Sequence, residues 1–582
     1  MISIRMNIKS FSSDHKRVLA LTLLVAFIYE LILSFQGFDL CDEGYVLTSY
    51  QQIFKCPSSV EYLLLYYLAG IVGGIWNIIF GFGGILSFRF LTIIVLLLII
   101  YFTSLSMKKI IAPIMIPVAV SLVLIFSNRG IVVFSHNHLT ALLVAIAIYF
   151  LLKGLNGNRP WYVFTGAMFC GINIFARIPN IALLALGLLL FIDYAYNKNI
   201  KLLGRNILMS IAGLATGIGA VFLLMFSLGH LPVFIDTINN LFVAGSGDDS
   251  AHNIGKLAND YLTNYQEIYI YLSIFVFTLA FFSFIYRFYK DKWKKTVVVI
   301  LYCFIATAFS LFVFNCTRYY SLILFPIILS CYFDRKNKPI ILINAASLVV
   351  LFFMPLGTDT GILNTGHSTV WLATFAATAH VYRFIRFKMQ KNDNSYRLFI
   401  ILFYILFCAR HLYVMSINAY FDPGARWEKR YRAHNDKFTV FTSKEKAQAM
   451  DVLLTELNKY VRKDDYLLCF ESLPMLHYLT ETRPYIGNPW TWSYDSDNFI
   501  LHLKKSAETI PLPVVVRQKC QTIGGQWLTP VPIAEQIGAT EPYLYKDKGL
   551  HFFEKFLEDN RYTIVWENDL FQIYLPHDFH LQ

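Results

Sequence analysis

Charge is what this chain has least of. Only 15% of its 582 residues are charged, against 56% hydrophobic, which is below the charged share and above the apolar share of a soluble domain. A protein built only of soluble domains is therefore excluded. Cysteine is also sparse: there are nine, most of them inside apolar runs, where they behave as small apolar residues. No spacing resembles a zinc site. Cys41, Cys56, Cys469 and Cys520 lie outside those runs, where a disulfide is allowed but no framework is indicated. No internal repeat is visible. No small-residue cleavage pattern follows the first apolar run, so that run reads as a retained anchor and not as a signal peptide.

What the chain does have is apolar length. Hydrophobic runs recur from residue 18 to about residue 416, and Phe and Tyr contribute 51 and 36 residues. Spans of bilayer-crossing length need about 20 residues. The pattern predicts about thirteen, near 18–36, 86–106, 110–127, 137–153, 161–178, 180–196, 206–228, 266–286, 296–315, 319–333, 339–356, 368–385 and 398–416. The fold class expected is a mostly α, polytopic membrane helical bundle with a C-terminal extracytoplasmic α/β domain. The expected division is a membrane domain over 1–416, with outer interfacial helices at about 43–85, and a soluble domain over 417–582.

The net charge of +12 is unevenly placed. Residues from 420 onward hold 19 basic and 22 acidic side chains, a balance of −3, which leaves 31 basic and 16 acidic before them. The basic excess forms short clusters between apolar runs: Lys16-Arg17, Lys108-Lys109, Lys198 to Arg205, Arg287 to Lys295, Arg335 to Lys338, and Arg383 to Arg397. A nucleic-acid binder gathers such charge on one face; clusters between spans are the positive-inside pattern. With the N-terminus in the cytoplasm every cluster is cytoplasmic. Only Lys55, Arg89, Arg129, Arg177, Lys256, Arg318 and Arg410 then lie toward the far side, and an odd number of spans places the C-terminal part outside.

Three carboxylates, Asp39, Asp42 and Glu43, fall within five positions just after the first span. Carboxylates at a membrane boundary are costly to desolvate and mark function when they face a cavity. Residues 43–54 then read as a short helix. Residues 61–82 are apolar but Gly-rich; a span there would move every downstream basic cluster to the other side, so they read as interfacial, with a true span as the alternative. The loop over 229–265 reads as a lid or an insertion. In the C-terminal part, Thr442 and Glu445 have capping-box spacing, Tyr466–Phe470, Val514–Val516, Tyr562–Trp566 and Phe571–Leu575 read as strands, and Pro474–Thr480 as a short helix. That part shows no nucleophile motif and no Gly-rich phosphate loop.

Asp42-Glu43-Gly44-Tyr45 in the first outer loop, with the span count and the α/β tail, resembles the polytopic glycosyltransferases of GT-C architecture. The likeness is strongest to the branch of the protein mannosyltransferases and the bacterial aminoarabinose transferases. Supporting stretches are Gly166 to Asn180, Arg318-Tyr319-Tyr320 followed by Pro326, and Leu473 to Pro484. The resemblance implies an inverting transfer of a sugar from a polyprenyl-phosphate donor to an extracytoplasmic acceptor, at a bacterial inner membrane. It implies Asp42 as general base, accepting the proton of the attacking hydroxyl, and Glu43 as the residue that orients the loop or the acceptor. Asp39 is a second carboxylate for the same site. Since relatives with this architecture use divalent ions, a divalent metal is admitted, although no ligand set stands out.

The same comparison makes Arg177 a candidate for the donor phosphate, against an arginine that snorkels to the interface. Arg318, Tyr319 and Tyr320 are candidates on the same grounds, against interfacial anchors. His136 and His138 open a span; their i,i+2 spacing suits a loop or strand better than one helix face, and acceptor hydrogen bonding suits them better than a metal. Glu30 lies inside the first span and faces the bundle, without a partner that the sequence names. His230, Asp248, Asp249 and Asp359 read as solvated. A transporter or lipid-linked-sugar flippase is the rival reading. It accounts for intramembrane polar groups, but the two similar halves and interrupted helices common in transporters are not evident here.

Overall fold

The structure, a computed structural model, describes residues 8–126, 132–244, 254–311, 315–358, 361–389, 395–522, 528–531, 546–577 and 579. Arg129, Asp248, Asp249, Asp359 and the Gly245–Asp249 stretch lie outside the described residues.

Each expected span carries a helix. The first is α1 (Ile8–Ser34). A short helix α2 (Asp42–Gln52), a 3-10 stretch Pro57–Tyr66 and α3 (Tyr67–Phe80) follow before α4 (Gly84–Met107). Next come α5 (Met115–Phe126), α6 (His136–Gly157), α7 (Pro160–Asn173), a 3-10 segment Ile178–Gly187 that runs into α8 (Leu188–Asn197), and α9 (Ile200–Ser227). Helix α10 (Leu231–Ala244) precedes α11 (Ile254–Phe288), α12 (Lys292–Leu311), α13 (Cys316–Phe333) and α14 (Lys338–Phe353). The short α15 (Ile362–Thr369), α16 (Trp371–Met389) and α17 (Ser395–Ile417) complete the bundle. Among the described residues, eight helical stretches are long and apolar enough to cross a membrane. Small residues bring α7 and α9 together: a Cβ on Gly213 or Gly217 would sit 2.3 Å from a carbonyl oxygen of α7, the close approach typical of membrane helix pairs.

Beyond α17, β1 (Asn418–Ala419) and β2 (Asp422–Pro423) form a tight antiparallel hairpin. Helix α18 (Lys444–Leu457) follows. Its N-cap is Ser443, whose hydroxyl accepts from the Lys446 N–H. The expected capping box of Thr442 and Glu445 is therefore not formed: the cap falls one residue later, because the Thr442 hydroxyl donates to Asp422 instead. The sheet is five-stranded, in the order β4-β3-β5-β7-β6. Its strands are β3 (Tyr466–Phe470), β4 (Arg483–Pro484), β5 (Val514–Gln518), β6 (Thr563–Glu567) and β7 (Phe571–Leu575). The first three run parallel, and β7 pairs antiparallel with both β5 and β6. Helices α19 (Met475–Thr480), α20 (Ser496–Thr509) and α21 (Asp547–Asp559) complete the α/β region.

This region is pressed onto one end of the bundle. Gly37 N–H donates to Phe441 O (2.8 Å), Phe441 N–H to Phe35 O (2.7 Å), and Met475 N–H to Leu40 O (3.0 Å). Phe38 stacks on Phe438 at 4.2 Å. Apolar packing is continuous across the junction, with Phe38, Leu40, Phe438 and Leu476 in one cluster. The Gly-rich stretch meets the same region at both ends: Tyr62 N–H donates to Gly487 O (3.3 Å), and Ile85 N–H to Lys437 O (3.1 Å). Helix α10, from the long connector, packs on the Pro57–Tyr66 stretch, its Thr237 hydroxyl donating to Glu61 O at 2.9 Å. His230, expected to be solvated, is instead buried, its Nδ1 hydrogen-bonded to the Tyr67 hydroxyl at 3.3 Å.

Candidate functional site

The segment between α1 and α2 is held by buried polar groups. Asp39 receives the backbone N–H of Cys41 (3.1 Å) and of Glu43 (2.9 Å), so it caps α2 from outside. Burial, then the neighbouring Asp42 and Glu43 carboxylates, push Asp39 well above the ordinary carboxylate range. Burial and Asp39 likewise push up the Cys41 thiol, which donates to Ser472 O at 3.3 Å. None of the nine cysteines, all among the described residues, forms a disulfide.

Glu43 is fully buried and faces Arg89 of α4, itself wholly buried, in a two-pronged pair. Arg89 Nε donates to Glu43 Oε1 (3.1 Å) and Nη2 to Oε2 (2.9 Å). Val133 N–H also donates to Oε1, at 3.2 Å. The remaining arginine donors reach Ser34 O, Gln36 O and Gly37 O at 2.7–3.0 Å. One guanidinium thereby ties the end of α1 to the start of α2. A buried charge without such a partner is strongly destabilising.

Asp42, one residue earlier, is only half-buried. It lies in the first turn of α2, where the helix dipole favours an anion. Its Oδ2 accepts from the hydroxyl of Tyr420, in the β1–β2 turn. Both line a cavity of about 590 Å³ at the junction of bundle and tail. Tyr45 and Trp490 form part of its wall, with rings edge to face at 5.6 Å. Helices α1, α4 and α5 supply the inner wall through Glu30, Leu33, Leu96, Ile99 and Val123.

The cavity gathers some of the candidates and leaves others out. Arg177 is buried and lines it, Nη2 donating to Leu356 O (2.5 Å) and Thr358 Oγ1 (2.9 Å). His136 and His138 line it too, but from the first turn of α6, contrary to the expected loop or strand. His138 Nδ1 accepts from Ser135 N–H at 3.1 Å and closes a capping box; His136 stacks on Tyr66 at 3.9 Å. Asp39, Arg318, Tyr319 and Tyr320 do not line the cavity. Arg318 lies over the Tyr271 ring at 4.6 Å. The Tyr319 hydroxyl bonds Thr374 (2.9 Å), and that of Tyr320 bonds Thr369. These three link α13 to α11, α15 and α16.

Sequence reasoning placed no role on Arg89, Tyr420 or Trp490. A lone arginine in the apolar run of α4 was a signal, since such a charge requires a buried partner. Tyr420 and Trp490 carry no local signal. Glu30 lines the cavity, and its charged neighbour is Arg426 of the tail. Burial and the Arg89 charge lower Arg426 to about 10, against the pull of Tyr29, Glu30 and Asp422. Among the described residues no group of three or more His, Cys, Asp or Glu is placed to hold a metal ion. The carboxylates beside Asp42 are engaged, Glu43 by Arg89 and Asp39 by backbone N–H groups. The residues present thus do not form a divalent-ion site around Asp42.

No family model matches the sequence, and no curated protein matches it. Among solved structures, the chain is similar to a crystal structure of ArnT from Cupriavidus metallidurans bound to undecaprenyl phosphate. The two are 10% identical over 96% of this chain and 97% of that one, with a TM-score of 0.40. A likeness at that level decides neither lineage nor activity.

Proposed function

We propose that this chain is a membrane glycosyltransferase of the GT-C kind. It transfers a sugar with inversion from a polyprenyl-phosphate carrier to an acceptor at the outer face of a bacterial inner membrane. The observation that carries the reading is the half-buried Asp42 carboxylate on the wall of a 590 Å³ cavity, beside a Glu43 that Arg89 already occupies. Two adjacent carboxylates are thereby given different tasks. Glu43 fixes the loop, and Asp42 is open to a substrate.

The acceptor hydroxyl attacks the anomeric carbon from the face opposite the phosphate, and its proton passes to Asp42. The bond from that carbon to the phosphate oxygen breaks, its electron pair leaving with the polyprenyl phosphate. The transition state has oxocarbenium character. The charge developing on the phosphate needs an oriented cation, and Arg177 on the cavity wall is the group assigned to it. The apolar wall of α1, α4 and α5 accommodates the first isoprene units. His136 and His138 face the sugar or the acceptor. Asp42 and the tail share one side of the bundle, and the charge asymmetry of the connectors assigns that side to the exterior, with the N-terminus cytoplasmic.

The test incubates purified protein in lipid nanodiscs with a panel of undecaprenyl-phosphate sugars and measures release of the free carrier. Asp42→Asn is expected to lower release by about 10²–10⁴-fold, the usual contribution of a general base, with the folded fraction unchanged. Full activity in that variant removes Asp42 from the mechanism. Movement of an intact lipid-linked sugar across the bilayer without transfer replaces the enzyme with a flippase.

A further inference from the structure

We infer that Tyr420, contributed by the C-terminal region, is a positioning residue for Asp42 and holds its carboxylate in the ionised form. The inference rests on the reading of Asp42 as the base. It adds that the tail supplies part of the catalytic apparatus, and not only a surface for the acceptor.

Three observations converge on this contact. First, the Tyr420 hydroxyl donates to Asp42 Oδ2, and both residues line the cavity. Hydrogen bonds to an ionised carboxylate favour the charged form.

Second, the hairpin that carries Tyr420 is over-determined. Its turn is the pair Tyr420-Phe421, between the partners Ala419 and Asp422. Phe421 has φ +44°, a backbone region that bulky side chains rarely enter and that persists where surroundings enforce it. Gly37 of the outer loop lies so close that a Cβ there would meet the Ala419 Cβ at 2.7 Å.

Third, the residue that ends the turn is a buried anchor. Asp422 accepts from Phe38 N–H (3.0 Å), Thr442 Oγ1 (2.7 Å) and Lys446 Nζ (2.9 Å), and pairs with Lys429 Nζ at 3.1 Å. One carboxylate therefore clamps the tail hairpin to the loop that carries Asp42. The turn aims the Tyr420 hydroxyl at Asp42.

Other titratable groups surround Asp42. Asp39, Cys41, Glu43 and Tyr45 share its segment, with Arg89 of α4 behind Glu43. Glu30 of α1, Tyr62 and Tyr66 of the 3-10 stretch, His136 and His138 of α6, Arg177, and Cys316 of α13 are the other titratable side chains that line the cavity. Tyr420→Phe alters none of them and keeps the ring against Phe421, 4.4 Å away.

The test compares wild type with Tyr420→Phe in nanodiscs, using two readouts. One is the pH profile of carrier release. The other is the pH midpoint at which a carbodiimide and an amine label Asp42, read by peptide mass spectrometry without any donor. Loss of the bond is expected to move both the acid limb and the labelling midpoint upward by about one pH unit, with kcat falling more than KM rises. Coincident midpoints and coincident profiles overturn the inference. If wild type releases no carrier from any donor, the glycosyltransferase reading fails by itself. The labelling midpoint then decides separately whether Tyr420 controls the ionisation of Asp42: a shift upholds that control, and no shift ends it.

Discussion

The pair Glu43–Arg89 offers the sharpest quantitative test of the site. Replacing Arg89 by Met removes two bonds to the carboxylate and three to the carbonyls of Ser34, Gln36 and Gly37, while leaving a side chain of similar length. Neither partner is more than 1% exposed, so little solvent is at hand to screen the stranded carboxylate. Breaking a buried pair from one side costs about 3–5 kcal/mol, or two to three and a half orders of magnitude at about 1.4 kcal/mol per tenfold change. Glu43→Gln strands the guanidinium instead, with a similar sign. The double variant strands neither, so the two losses are not additive; contacting residues show coupling of about 0.5–3 kcal/mol. Two charge-assisted bonds place this pair at the upper end, about 2–3 kcal/mol. A double-mutant cycle on reversible unfolding in mixed micelles measures it, with carrier release followed in parallel. Since Arg89 sets where Asp42 begins its helix, a displacement of about 1 Å is expected to cost Arg89→Met roughly 10²-fold in turnover. Coupling below about 0.5 kcal/mol, or an Arg89→Met variant with full turnover, refutes the claim that this ion pair positions Asp42 for the proposed transfer.

Two further outcomes follow from the same interface. Gly44→Ala places a Cβ 2.1 Å from Met475 N and 2.4 Å from its Cα. Backbone cannot yield as a flexible side chain does, so a loss at or above the top of the usual overpacking range of about 1–3 kcal/mol is expected, seen as faster proteolytic release of the tail. An unchanged digestion rate removes the close approach of α2 and α19. Asp422 supplies the pH dependence. Burial alone would raise it, but Lys446, Lys429 and the Thr442 hydroxyl outweigh burial and hold it below its ordinary value of 3.8. A carboxyl with a lowered folded value stabilises the protein above its unfolded value and loses that contribution as pH falls through the folded one. Wild-type melting temperature is therefore expected to drop below about pH 4, whereas Asp422→Asn melts lower at pH 7 and shows a shallower fall in acid; parallel curves for the two contradict the assignment.

The helical bundle was legible in the sequence because a bilayer imposes its own arithmetic. Runs of about 20 apolar residues have few alternatives to spanning helices, and each expected span carries a helix. The strands of the tail were legible for a related reason, since short β-branched and aromatic runs such as Val514–Val516 have strong local preferences. The histidines were misread because i,i+2 spacing says nothing of capping: His138 closes the first turn of α6 through Ser135. For Arg318, Tyr319 and Tyr320 the motif did not reveal whether the side chains turn toward a cavity or toward a neighbouring helix, and they contact neighbouring helices.

By itself, the sequence determined that a cluster of carboxylates would stand at the end of the first span, where desolvation makes an acidic side chain costly without a task or a partner. Only the tertiary structure decided what each carboxylate meets and which of them lines the cavity with a half-buried side chain. Glu43 meets an arginine 46 residues away, and Asp42 meets a tyrosine 378 residues away. Local pattern encodes periodicity and burial, which act over a few residues. An ion pair or a hydrogen bond between distant segments depends on how the chain closes in space, and no window of sequence contains both of its halves.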